Sequence, residues 1–225
     1  MFLSEDGFLV GPASATGGLI LGGTCALRGA ISPNTGARLT QFAHVHVGAG
    51  AGAFFVPGWE LPDIRFLYSW KCNIHEGSFS YRYLGNSIEV VEYIKGTGDH
   101  EGFPYENYPD SFQEVRRELQ RISEGDQQLI RQLNSPDCDP DLEYDNPRAN
   151  ELSTPTHQFG GVPYLVDPEL SEKECILCDK EMLLVAAIGN DSYSNEYGFS
   201  GDDFVQILYW ACPKCHVVSA LNFYD

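Results

Sequence analysis

The sequence predicts an α+β fold: two related antiparallel β units, residues 1–100 and 157–225, with a helical insert at 101–156 between them. Three observations point there. Short apolar runs bounded by turn residues recur in both outer thirds, as half-buried strands do. The run of elements in the last third repeats that of the first in the same order. Between them the apolar spacing changes from that of strands to that of helices.

The last third is organised by four cysteines. Cys175-Ile-Leu-Cys178 is followed 33 residues later by Cys212-Pro-Lys-Cys215. Two residues between thiolates let one tight turn aim both sulfurs at one ion, and two such turns complete a tetrahedron. The interval exceeds that of a short zinc ribbon. It holds one buried strand around 182–188, a polar loop at 189–203 and a returning strand around 204–210. The expectation is one structural zinc on Cys175, Cys178, Cys212 and Cys215, a zinc-ribbon-like knuckle pair; iron would use the same ligands. Two disulfides or four buried thiols are the competing assignments. A closed four-thiolate site has no open position for water, so it serves folding, contributing on the order of 10 kcal/mol when metal binds.

The first third reads as a worn copy. Residues 32–45 align without a gap on 175–188, placing Ser32 and Thr35 on Cys175 and Cys178. Leu19-Ile-Leu-Gly-Gly23 parallels Gln158-Phe-Gly-Gly161, and Trp70-Lys-Cys72-Asn-Ile-His75 parallels Trp210-Ala-Cys212-Pro-Lys-Cys215. An aromatic strand closes each copy, at 78–83 and 219–224. Serine and threonine are poor zinc ligands, so the first copy is expected to hold no metal, with Cys72 a small buried apolar residue.

In the insert, Ser111 and Glu114 make a capping box. Phe112, Val115, Leu119 and Ile122 follow at helical spacing, predicting an amphipathic helix of about three turns. A second helix is expected from Asp126 to Leu133, stopped by Ser135-Pro136. A strand is expected over 88–94.

His44 and His46 share one face of a strand. No third ligand or orienting acid stands beside them in sequence, so the expectation is a solvated strand face. An enzymatic alternative would assemble a hydrolase site from His44, Cys72 and His75 with a carboxylate such as Asp63. No serine-elbow, nucleotide or zinc-protease signature accompanies it.

Lys and Arg number 14 against 32 Asp and Glu, a formal charge of −18. That argues against nucleic acid as a direct partner and for a basic protein. Two acidic stretches stand out. Asp137, Asp139, Asp141, Glu143 and Asp145 alternate along 137–145, without the glycine or terminal glutamate of a calcium loop. Asp191, Glu196, Asp202 and Asp203 surround Tyr193, Tyr197 and Phe199, which would supply aromatic anchors. The amino terminus carries acids where a secretion signal carries bases, and residues 17–23 are too short to span a bilayer, so a cytoplasmic protein without membrane contact is expected.

Gly160, Gly161 and Pro163, then Cys-x-x-Cys, an apolar strand, an acid-flanked loop and a second Cys-x-x-Cys together resemble the YwqG-like family. That family is itself similar, within a wider set, to the programmed-cell-death-protein-type chaperones of ribosomal proteins. The likeness is best over 157–225 and weaker over 17–83. It implies duplicated β units, no established catalytic residues and a role in binding polypeptides, with an immunity role beside toxins among bacterial relatives. Only the four cysteines carry over residue by residue. The expected function is thus a non-enzymatic, zinc-stabilised module that masks a basic partner: an immunity protein against a toxin or, alternatively, a chaperone for a basic ribosomal protein.

Overall fold

The computed structural model describes residues 3–33, 36–48, 53–69, 74–95, 109–154, 156–189 and 206–223. Eleven strands form one antiparallel sheet: β1 (Leu3–Ala13), β2 (Leu19–Gly23), β3 (Thr40–His46), β4 (Asp63–Tyr68), β5 (Ile74–Leu84), β6 (Ser87–Lys95), β7 (Phe112–Arg121), β8 (Gln158–Gly161), β9 (Leu183–Gly189), β10 (Gln206–Cys212) and β11 (Val217–Phe223). Their order is β4-β3-β2-β7-β1-β8-β9-β10-β11-β5-β6. The sheet curls into a half-barrel around a core that includes Phe8, Phe42, Phe66, Phe79, Phe159 and Tyr209.

This corrects the expected fold class. The protein is mostly β, with 48% strand and 13% helix, which leaves no room for a helical insert between two β units. The largest departure is at 112–121. The capping box and apolar spacing favour a helix locally, yet the segment is β7, pairing β1 on one side and β2 on the other. The same residues also read with period two: Val115 and Leu119 lie on one face, while Glu114, Arg116, Glu118 and Gln120 lie on the other. A strand here fills the centre of the sheet, and two ladders of hydrogen bonds outweigh a propensity difference of tenths of a kcal/mol per residue. The helix beyond it does form, as α1 (Glu124–Leu133), with Ser123 capping Asp126 N–H. Ile130 and Leu133 of α1 pack with Ala149 and Leu152 of a second short helix, Pro147–Leu152, over Ile122 and Val162.

What the two outer thirds share is hydrogen bonding. Cys175 N–H donates to Lys180 O, and Ser32 N–H to Ala37 O. Asp179 and Gly36 both take left-handed φ, 53° and 72°, and both donate to the first residue of the turn. The isolated bridges Glu174↔Glu181 and Ile31↔Arg38 match as well. The strand ladders continue the correspondence: Leu183↔Ala211 and Thr40↔Tyr68 at one end, Gly189↔Gln206 and His46↔Asp63 at the other. Carried to the next residue, this register places Ser69, not Cys72, at the position of Cys212. The Trp70-on-Trp210 alignment is therefore three residues out of step, though 70–73 themselves lie outside the described residues.

The halves differ in how their last strands pair. β10 and β11 form an unbroken ladder from Gln206↔Phe223 to Cys212↔Val217. β4 and β5 do not pair; β5 joins β11 and β6 instead. The open edge of β4 is closed by two phenols. Tyr83 Oη accepts from Arg65 N–H at 2.7 Å, and Tyr81 Oη accepts from Leu67 N–H at 3.1 Å while donating to Arg65 O. Burial pushes both phenol pKa values far up, so the hydroxyls stay neutral. Two side chains thereby do what a strand would do elsewhere, satisfying an edge that would otherwise be left unpaired. The segment after β2 straps across to β6, where Ile88 N–H donates to Arg28 O at 2.8 Å.

Candidate metal centre

The two knuckles meet on the outer face of the carboxy-terminal strands. Cys175 and Cys178 come from the turn ahead of β9; Cys212 ends β10, and Cys215 lies in the tight turn to β11. Asp179 and His216, one residue past each pair, have φ of 53° and 51°, a left-handed step that closes each turn. Cys175 and Cys212 are buried, Cys178 and Cys215 partly exposed. Beneath them pack Leu165, Met182, Leu184, Leu208, Trp210 and Val217, an apolar floor separate from the main core.

All four sulfurs lie within 4.8 Å of one another, and Cys178 Sγ is 3.8 Å from Cys212 Sγ. A tetrahedral ion with metal–sulfur bonds of about 2.3 Å has edges of roughly 3.8 Å, whereas a disulfide is about 2.05 Å. The four cysteines are free thiols, so the disulfide assignment fails. Burial pushes the Cys212 thiol up to about 12, and neighbouring Cys175 adds to that shift. Cys178 moves the other way: desolvation opposes it, but Lys180 N–H and the neighbouring sulfurs lower its thiol. Four sulfurs at this spacing form a possible metal site, and the set is compatible with zinc.

Among the described residues the first third brings no such cluster together. Ser32 is buried in the matching turn and Ser69 stands where Cys212 would. Thr35 and Cys72 lie outside the described residues, as does the side chain of His75, so of the expected hydrolase set only His44 and Asp63 fall among the described side chains.

His44 departs from the expected solvated face, while His46 is exposed as expected. His44 is 8% exposed, and its Nε2 lies 3.0 Å from Asp63 Oδ2. Asp63 stands directly across from His46 in the β3–β4 ladder, a register that sequence spacing does not reveal. The contact with His44 holds the Asp63 carboxyl below its usual range against the opposing effect of burial, with Arg65 assisting. Burial and the neighbouring His44 keep His46 below the ordinary imidazole value.

Of the expected partner surface, Asp137, Asp139, Asp141, Glu143 and Asp145 are all exposed. Asp137, Asp139 and Asp141 precede a single helical turn, Leu142–Asp145, that contains Glu143 and Asp145 and whose Tyr144 is 90% exposed. Asp191, Tyr193, Glu196, Tyr197, Phe199, Asp202 and Asp203 lie outside the described residues. Among the described residues no helix is long and apolar enough to cross a membrane. No family model, curated protein or solved structure matches the chain.

Proposed function

We propose that this protein is a zinc-stabilised, non-enzymatic binding module that masks a basic protein, most specifically an immunity protein that neutralises a cationic toxin. The observation that carries the reading is the closed set of four sulfurs, which stiffens a sheet without offering a reactive position. The exposed acids at 137–145 around Tyr144 supply the second part. Fixed negative charge steers a cationic partner, and an exposed aromatic ring among acids suits the centre of such a contact. The formal charge of −18 extends that attraction over the whole surface.

The test is affinity capture from the native host with the wild-type chain and with a variant carrying D137N, D139N, D141N, E143Q and D145N. A basic toxin recovered by the wild type at low salt, and lost in the variant, is the expected result. Recovery of a ribosomal protein would move the reading to the chaperone class. Capture of nothing basic would defeat it.

A further inference from the structure

We propose that His44, His46 and Asp63 form a second, open metal site for a transition-metal dication such as Fe²⁺, Ni²⁺, Cu²⁺ or Zn²⁺, on the face of the sheet away from the main core. Val45 belongs to that core, so His44 and His46 on either side of it point to the opposite face. Asp63 is the cross-strand neighbour of His46, and Arg65 that of His44. Two imidazoles and one carboxylate on adjacent strands are the donor set of a facial triad, which fills three positions and leaves the others open.

Two observations separate this cluster from an ordinary buried ion pair. The first is the state of His44 Nε2. It is fully shielded from solvent and lies 3.0 Å from Asp63 Oδ2, yet the contact lacks hydrogen-bond alignment and no other partner stands among the described residues. That spacing is what two neighbouring ligands at about 2.1 Å from one metal would show, roughly 3.0 Å apart at a right angle. A ring nitrogen that faces a carboxylate without pointing a proton at it suits a shared ion better than a hydrogen bond.

The second is the contrast between the halves. The His44↔Arg65 and His46↔Asp63 rungs correspond to Ala187↔Leu208 and Gly189↔Gln206. There Ala187 and Leu208 lie in the apolar floor under the knuckles. The 44–65 rung thus has an apolar counterpart, and the 46–63 rung is matched by a glycine and by Gln206, which bonds Val166 N–H and Tyr164 O, so the same backbone folds without two histidines and an aspartate.

The ligands are part-assembled. The three donor atoms are not gathered as the four sulfurs are, which among the described residues form the one such cluster. His44 and Asp63 are in contact, and closing the set requires exposed His46, whose ring meets His44 edge-on at 5.0 Å, to turn toward them. Arg65 sits 3.9 Å from Asp63 Oδ2, with its Nη1 held by Gln41 Oε1 at 2.7 Å, and so positions the carboxylate from outside the ligand shell.

The experiment titrates Ni²⁺ into the zinc-loaded full chain by calorimetry, beside His46→Ala, Asp63→Asn and Cys175→Ser. His46 is exposed, so His46→Ala leaves the fold intact, which its thermal melt verifies. One Ni²⁺ per zinc-loaded chain is expected, with affinity falling about tenfold or more in both His46→Ala and Asp63→Asn. Imidazole ligation is then read from Cu²⁺ electron paramagnetic resonance as coupling to two nitrogens. No binding beyond the zinc would overturn the proposal. So would binding that survives His46→Ala, or that is lost only in Cys175→Ser.

Discussion

Removing one oxygen from Tyr81 should loosen the seam between β4 and β5. Phenylalanine keeps the ring in its fully buried place among Phe79 and Tyr83, so the hydroxyl alone is lost. That hydroxyl serves two backbone groups, Leu67 N–H and Arg65 O. Among the described residues no strand lies on the edge of β4 away from β3, so both groups are left without that partner. A stranded buried polar group costs about 1–3 kcal/mol, so Tyr81→Phe should cost about 2–5 kcal/mol. Tyr83→Phe strands only Arg65 N–H and should cost about 1–3 kcal/mol. Both variants act on Arg65, so the double variant should lose less than the summed single costs. Urea unfolding at constant m measures the loss, and amide exchange at Leu67 locates it. A Tyr81→Phe cost within about 0.5 kcal/mol of zero, with Leu67 exchanging as slowly as before, would refute the seam.

Three further outcomes follow from the same packing. Cys175→Ser should lower zinc affinity by orders of magnitude and drop the melting temperature of the carboxy-terminal strands to that of chelator-treated wild type, read by metal analysis and calorimetry. His157 is fully buried, and burial pulls its imidazole down to about 4. The fold therefore favours the neutral ring. Its stability is intact above the unfolded value near 6.5 and falls as pH drops toward 4, by at most about 3 kcal/mol. His157→Leu should flatten that part of the pH–stability curve. Gly161 has φ of 61°, and a methyl there would meet Gly7 Cα at 2.6 Å. Gly161→Ala should part β1 from β8 and cost about 2–5 kcal/mol in urea unfolding.

The metal centre is the part most plainly legible in the sequence, because Cys-x-x-Cys is a local motif whose spacing is its geometry. The strands around it were legible too: an apolar run such as Leu184 to Ile188 has few other fates. The Gly-Gly pairs at 22–23 and 160–161 mark left-handed steps, and all four take positive φ. Segment 112–121 misled because local and non-local signals disagree there, and its pairing with β1 and β2 is set by residues about a hundred positions away. The sequence marks no element at Leu3–Ala13, a mixed run of acids, glycines and apolar residues, although β1 is an interior strand between β7 and β8. The His44–Asp63 contact was hidden for a related reason. Asp63 is distant in sequence, and only the antiparallel register puts it opposite His46. The seam phenols were read as part of an aromatic strand, since nothing local says that Tyr81 and Tyr83 replace a neighbouring strand.

The most direct measurement is X-ray absorption at the zinc edge on the His46→Ala chain holding one zinc equivalent. Four sulfurs at about 2.3 Å and no light-atom ligand are predicted. A shell containing nitrogen or oxygen, or a chain that retains no zinc with its cysteines oxidised in pairs, would contradict a sealed four-sulfur centre.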